Sequence, residues 1–111
     1  KTTPEWLNGV WEEQWPDREC EDMSIITAGQ DTLSLSMSSC TDGRHYIISK
    51  LVRDESTLRF DRAKPNEKAW SYELKRDGTI LVGIAKRGDQ RHAVHWKRAR
   101  RVPSEGSHAQ R

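Results

Sequence analysis

Apolar and polar residues alternate with a period of two along most of this 111-residue chain, and this alternation constrains its fold more than any other feature. Leu33, Leu35 and Met37 alternate with serines, and the pattern recurs over 58–61 and 70–75. Period two places successive side chains on opposite faces of a strand, so each run predicts a strand with one buried face. No segment of useful length has a helical period. The pattern therefore predicts an all-β protein.

Turn signals separate the predicted strands. Asp77-Gly78 is the strongest, because both central residues of a type I′ turn need positive φ. We place eight strands, over 9–15, 22–28, 32–38, 44–53, 57–62, 69–76, 79–86 and 91–99. Eight short strands joined by hairpins favour one antiparallel up-and-down barrel, because closure removes exposed edges. The barrel domain spans 9–99, between an amino-terminal arm (1–8) and a polar tail (100–111) that we expect to be flexible.

The inward rows of this barrel carry large side chains. Trp11, Trp70 and Trp96 fall on inward rows, and we place Ile80, Val82 and Ile84 inward on the seventh strand, with Gly83 and Ala85 outward. Short strands with bulky inward residues leave little room for a ligand. We therefore expect a filled interior and a function carried by the surface.

The two halves of the chain carry opposite charge. Residues 1–55 have five basic and eleven acidic side chains, whereas 56–111 have fourteen basic and six acidic ones. A closed meander places the first strand, with Glu12 and Glu13, beside the last strand and its extension, with Lys97, Arg98, Arg100 and Arg101. Charge asymmetry thus favours closure, and a net charge of +2 argues against a nucleic-acid partner.

Cys20 and Cys40 permit one disulfide. Alternate connections of a meander lie at the same end, and the two cysteines fall in the first and third connections. Neither has a histidine or a second cysteine at metal-ligand spacing. A disulfide indicates an oxidising compartment, so we expect a periplasmic or secreted protein. Two free cysteines in a cytosolic protein remain the alternative on cysteine usage alone.

The candidate groups for catalysis do not converge. His92 and His95 are three residues apart and therefore face opposite sides of a strand, as do the adjacent Glu12 and Glu13. An enzyme needs a nucleophile, a base and an orienting group in one pocket. We therefore expect no enzymatic activity, no catalytic residue, no bound metal and no cofactor. No apolar run approaches the ~18 residues of a transmembrane helix.

Gly9-Val10-Trp11 on the first strand, together with Arg98 leaving the last, resembles the lipocalin and calycin barrels. The resemblance spans about residues 8–99. It implies that Trp11 packs at the closed end of the barrel and that Arg98 lies across it.

Within these barrels, the chain is most similar to the secreted metalloprotease inhibitors of Gram-negative bacteria, which have a Gly-x-Trp start and cysteines placed like Cys20 and Cys40. This resemblance implies that the arm, Lys1-Thr2-Thr3-Pro4-Glu5, enters a protease cleft with its terminal amine near the zinc. The chain differs from that family at Lys1 and Glu5, because the start of the family's sequences is usually small and uncharged.

We therefore expect a monomeric protein-binding barrel that inhibits a secreted hydrolase. Besides the arm, Trp15 and Gly43 are candidate contacts with the partner. Trp15 would act as an exposed aromatic side chain, and the alternative is that it is partly buried under a loop. The loop from Ser39 to Tyr46 loosely resembles that of small periplasmic lysozyme inhibitors. A lipocalin-like carrier of a small apolar ligand and a non-inhibitory surface interaction domain are the other functions considered.

Overall fold

The computed structural model describes residues 4–54 and 56–99. Lys1, Thr2 and Thr3 of the predicted arm and the predicted tail lie outside the described residues. No helix in the part described is long and apolar enough to cross a membrane.

The chain folds as a short 3₁₀ helix followed by eight antiparallel strands. The helix is Pro4–Leu7, and the strands are β1 (Gly9–Gln14), β2 (Asp22–Ala28), β3 (Leu33–Ser38), β4 (Ile47–Asp54), β5 (Thr57–Ala63), β6 (Trp70–Asp77), β7 (Ile80–Arg87) and β8 (Gln90–Arg98). They form one sheet in the order β3-β2-β1-β8-β7-β6-β5-β4. This is the predicted all-β, up-and-down arrangement, and the Cys20–Cys40 disulfide is present.

The barrel has two ends, which we call the base and the mouth. At the base, β1 begins at Gly9 and the Asp77-Gly78 turn joins β6 to β7. At the mouth, β1 ends at Gln14 and the disulfide joins the β1–β2 and β3–β4 connections.

The barrel is nearly closed rather than fully closed. β1 pairs with β8 as predicted, and Glu12 lies opposite Lys97. β3 and β4 meet through a single bridge, Ser38 to His45, close to the mouth. Further along, β4 is irregular between Ser49 and Val52. A bulge increases local twist, so β4 turns away from β3 and leaves a seam.

The β3–β4 connection is longer than predicted, so β4 begins at Ile47 and not at residue 44. Ser39 N donates to Arg44 O, and Gly43 N donates to Ser39 O, both at 2.8 Å. Gly43 has a φ of +73°, a conformation that glycine adopts without a steric penalty. These local bonds satisfy the backbone of the loop.

The predicted orientation of β7 is wrong. Leu81 and Ala85 are buried, whereas Ile84 is 40% exposed. Gly83 therefore lies in the inward row, where an added Cβ would sit 1.8 Å from the carbonyl oxygen of Glu73 on β6. Both rows of β7 carry aliphatic residues, so hydrophobicity alone does not distinguish its faces.

Large side chains fill much of the barrel interior. Trp11, Leu74 and Trp96 are fully buried, and the Phe60 ring stacks on Tyr72 with centroids 4.7 Å apart. The expectation of bulky inward rows is met here. Toward the mouth, however, the interior contains charged side chains that the sequence analysis did not place there.

Candidate functional site

The predicted partner-binding residues lie at opposite ends of the barrel. Glu5 adjoins the base, whereas Trp15 and Gly43 lie at the mouth. The six residues of β1 separate the ends by roughly 17 Å, at ~3.4 Å per residue. Glu5, Trp15 and Gly43 therefore do not lie on one continuous surface.

At the base, Arg98 joins the two ends of the described chain. Its guanidinium carbon lies 4.3 Å from the centroid of the Trp11 ring. Nη1 donates to Asn8 O at 2.8 Å, and Nη2 donates to Trp6 O. Gly9 has a φ of +132°, and a Cβ there would sit 3.0 Å from Arg98 Nη1. Gly9, Trp11 and Arg98 thus form the contact that the resemblance implies.

Trp6 contacts two guanidinium groups. The guanidinium carbons of Arg76 and Arg98 lie 4.0 and 5.1 Å from its ring centroid. Burial and the like charge of Arg76 lower the pKa of Arg98. The Trp6 ring also packs on Trp11, whose Nε1 donates to Leu7 O at 2.9 Å. These contacts fix Trp6, the residue directly after the candidate contact residues 1–5.

At the mouth, Arg62 projects into the barrel and is only 5% exposed. Its Nε donates to the Tyr72 hydroxyl at 2.8 Å, and its guanidinium carbon lies 4.0 Å from the Tyr46 ring centroid. Nη2 lies 3.9 Å from Glu13 Oε1 and 4.0 Å from Asp22 Oδ2. Burial lowers the pKa of Arg62, but Tyr72, Glu13 and Tyr46 together raise it above its ordinary value.

Asp22 is fully buried and well satisfied. Arg18 donates to both of its oxygens, at 3.2 and 3.1 Å. Cys40 N donates to Oδ1 and the Tyr46 hydroxyl donates to Oδ2, each at 2.9 Å. Such bidentate, charge-assisted bonds are among the stronger ones in proteins. Asp22 thereby connects β2 to the disulfide loop.

Glu13 is buried with fewer partners. Its Oε2 accepts from Trp96 Nε1 at 3.2 Å, whereas Oε1 has no hydrogen-bond partner among the described residues. Burial raises the pKa of this carboxyl, opposed by the charge of Arg62. β1 lies beside β8 as predicted, but Glu13 is opposite Trp96 and its side chain faces the interior, so of the two glutamates only Glu12 lies across from a basic residue.

Trp15 and Gly43 have different surroundings at the mouth. Trp15 is 8% exposed and packs against Trp70 and His92, with ring centroids 5.3 and 4.8 Å apart. It does not offer an exposed indole, so the burial alternative applies. Gly43 is exposed, and nothing lies within 4 Å of where its Cβ would be.

A cavity of about 210 Å³ opens at the mouth above Arg62. Aromatic and charged side chains line it: Trp15, Asp17, Arg18, Tyr46, Arg62, Lys64, Glu67 and Trp70. The backbone N–H of Arg44 donates to Asp42 Oδ1 at 2.9 Å, and Lys64 Nζ donates to Asp42 Oδ2 at 3.1 Å. Both bonds lower the pKa of Asp42, and the Arg44 bond has the larger effect. In the part of the chain that the structure describes, no group of three or more histidine, cysteine, aspartate or glutamate residues could hold a metal ion.

The interior charges were not predicted from the sequence, although the alternation contains one signal for them. Leu58, Phe60 and Arg62 follow one alternation, which places Arg62 on the inward row of β5. Asp22 and Ser24 likewise share a row with Ile26. A polar residue at the end of an inward row marks the place where the apolar interior ends.

Comparisons with protein-family models, with curated proteins and with solved structures found no match to this chain.

Proposed function

We propose that this protein is a secreted or periplasmic barrel that inhibits a secreted metalloprotease through its amino-terminal arm. The resemblance in Gly9, Trp11, Cys20 and Cys40 suggests the class of target. The proposal places the contact surface at the base and excludes Trp15 and Gly43 from it.

The observation that carries the proposal is the fixation of Trp6. Arg76 and Arg98 both contact its ring, and Arg98 also donates to its carbonyl oxygen. Any residue upstream of Trp6 therefore extends from an anchored point on a rigid body. An anchored segment loses less conformational entropy on docking than a free one, which favours affinity.

The rest of the base supports a surface role. The β2–β3 turn and the Asp77-Gly78 turn lie at the same end as Glu5, which is exposed. The interior behind them is filled by Trp11 and Leu74, both of which are fully buried. Such an end can present loops and an arm to a partner without changing shape.

The test is an inhibition assay against a panel of secreted zinc proteases and lysozymes. Three proteins are compared: the full chain, a version lacking residues 1–5, and Arg44→Ala in the exposed mouth loop. The truncation retains Trp6 and its contacts, and near-ultraviolet circular dichroism verifies the fold. We expect the full chain and Arg44→Ala to inhibit a zinc protease equally. The truncation should weaken inhibition by about 100-fold or more, or ~2.7 kcal/mol.

Equal inhibition by the truncated and full chains would show that the arm is not the inhibitory element. Inhibition of a lysozyme alone, lost in Arg44→Ala and kept in the truncation, would move the site to the loop around Gly43. A full chain that inhibits none of the panel would contradict the proposal.

A further inference from the structure

We propose that the mouth cavity is a second site, independent of the arm, that binds a small aromatic carboxylate through Arg62. The site consists of the Arg62 guanidinium as its floor and the rings of Trp15, Tyr46 and Trp70 as its walls.

Arg62 has hydrogen-bond donors that no described residue uses. Of its three guanidinium nitrogens, only Nε has a hydrogen bond to a described residue. The oxygens of Glu13 and Asp22 lie 3.9 and 4.0 Å from Nη2, beyond hydrogen-bond distance. Neither Nη atom is among the fully buried atoms that lack a partner, so both remain accessible and can donate to an acceptor in the cavity.

The orientation of Arg62 is already fixed. Its guanidinium stacks on Tyr46 at 4.0 Å, and Tyr72 holds Nε. A planar guanidinium held in one orientation matches the two oxygens of a carboxylate. The ligand therefore meets a prepared donor pair.

The other two cations that line the cavity, Arg18 and Lys64, are engaged within the protein. Arg18 bonds both oxygens of Asp22, and Lys64 bonds Asp42. The carboxylates of Asp17 and Glu67 also line the cavity. Asp17 and Glu67 oppose an anion at the entrance, and Glu13 and Asp22 lie beside Nη2 on the interior side. Arg62 is nevertheless the cavity-lining cation that makes no hydrogen bond to a carboxylate of a described residue, so the charge of the ligand is placed there, with a neutral body above it.

The walls and the volume define that body. Trp15 and Trp70 pack edge to face, and Tyr46 lines the same cavity. Aromatic pairs of offset or perpendicular geometry are favourable. The cavity of about 210 Å³ is below the ~300 Å³ of the smallest drug-sized pockets. A single aromatic ring bearing a carboxylate fits these limits.

The experiment is a ¹H–¹⁵N NMR titration of the intact, oxidised chain with benzoate, with neutral benzamide as the matched probe. We expect benzoate to shift the indole N–H signals of Trp15 and Trp70 and the Arg62 Nε–H signal, and to saturate. Benzamide, which lacks the charge, should produce no saturable shift. Equal responses to the two probes, or none to benzoate, would overturn the proposal.

Two variants assign the site. Arg62→Gln should weaken benzoate at least about tenfold, provided that Trp11 and Trp96 keep their signals. Glu67→Gln, at an exposed position, should tighten benzoate about twofold by removing a rim charge. Asp77→Asn, the same charge change at the base, is the control and should have no effect. Unchanged benzoate affinity in Glu67→Gln, or in a folded Arg62→Gln, would contradict the assignment.

Loss of the arm should leave this benzoate titration unchanged, which separates the cavity proposal from the inhibitor proposal.

Discussion

At the residue scale, the main feature of this protein is a small set of buried ionisable groups inside a β-barrel. Asp22 has several strong donors, whereas Glu13 has one, from Trp96. A buried carboxylate with few hydrogen bonds loses its hydration without full compensation from the protein, so its charged form is disfavoured. This difference explains why burial raises the pKa of Glu13.

The raised pKa of Glu13 predicts a specific pH dependence of stability. Above the ordinary value of 4.5 and below the folded pKa, the folded state holds a proton that the unfolded state has lost. The contribution of Glu13 to the free energy of unfolding therefore falls as pH rises through this window. Glu13→Gln removes the titration and keeps an acceptor for Trp96. Urea denaturation at a series of pH values should show the variant gaining on the wild type as pH increases.

Glu12→Gln is the control, because Glu12 lies on the opposite face of β1, across from Lys97. It should not reproduce the gain of Glu13→Gln with rising pH. If Glu13→Gln instead lost stability relative to the wild type as pH rises, the Glu13–Arg62 pair would outweigh burial and our assignment of the dominant effect would be wrong.

At the scale of elements, β6 and β7 approach closely at one position. Gly83 on β7 lies opposite Leu74, and its missing Cβ leaves room for the Glu73 carbonyl oxygen. Backbone atoms cannot move aside as a flexible side chain can. A single glycine therefore sets how tightly the sheet bends here.

We expect Gly83→Ala to destabilise the fold by about 3 kcal/mol, because overpacking against the backbone forces β6 and β7 apart. Gly78→Ala is the matched control. Gly78 has a φ of +67° with nothing within 4 Å of its Cβ position, so only the conformational cost applies, about 1 kcal/mol. Chemical denaturation of both variants gives the order, and equal losses would show that the close approach relaxes easily.

At the scale of the whole molecule, two different contacts hold the two ends of the barrel. At the base, Arg98 connects the last strand to Trp6 and Asn8. At the mouth, the Cys20–Cys40 disulfide connects links on either side of β2 and β3. β3 and β4 are joined by one bridge near the mouth, so the disulfide lies at the end where this seam is closed.

Replacing both cysteines by serine should lower the free energy of unfolding by about 3 kcal/mol, because the unfolded chain regains the freedom of the closed loop. The change should also be local. The Cys40 N–H donates to Asp22 directly beside the disulfide, and Asp22 also contacts Tyr46 and Arg62. The NMR signals of Tyr46 and Arg62 should therefore broaden or shift. Signals of Trp6 and Trp11 at the base should remain. Reduced wild type is the control and should match the double variant; unchanged stability would contradict the prediction.

Local patterns in the sequence determined most of the fold. Alternation located the eight strands, the Asp77-Gly78 turn marked a hairpin, and the positions of Cys20 and Cys40 allowed their bridge. Each signal depends on residues close together in the chain, or on the order of strands in a meander. Where both faces of a strand are aliphatic, as on β7, alternation does not distinguish the inward face from the outward one, and the predicted orientation was wrong.

The tertiary structure alone decided the two ends of the barrel. Arg62, Glu13 and Asp22 come from three different strands, and Trp6 meets Arg76 and Arg98 across the whole length of the chain. Their proximity depends on the shear and closure of the barrel, which no short-range pattern encodes. Periodicity tells which face a side chain occupies. Only the closed sheet tells which side chains from distant strands meet there, and it is their meeting that sets charge, burial and the mouth cavity.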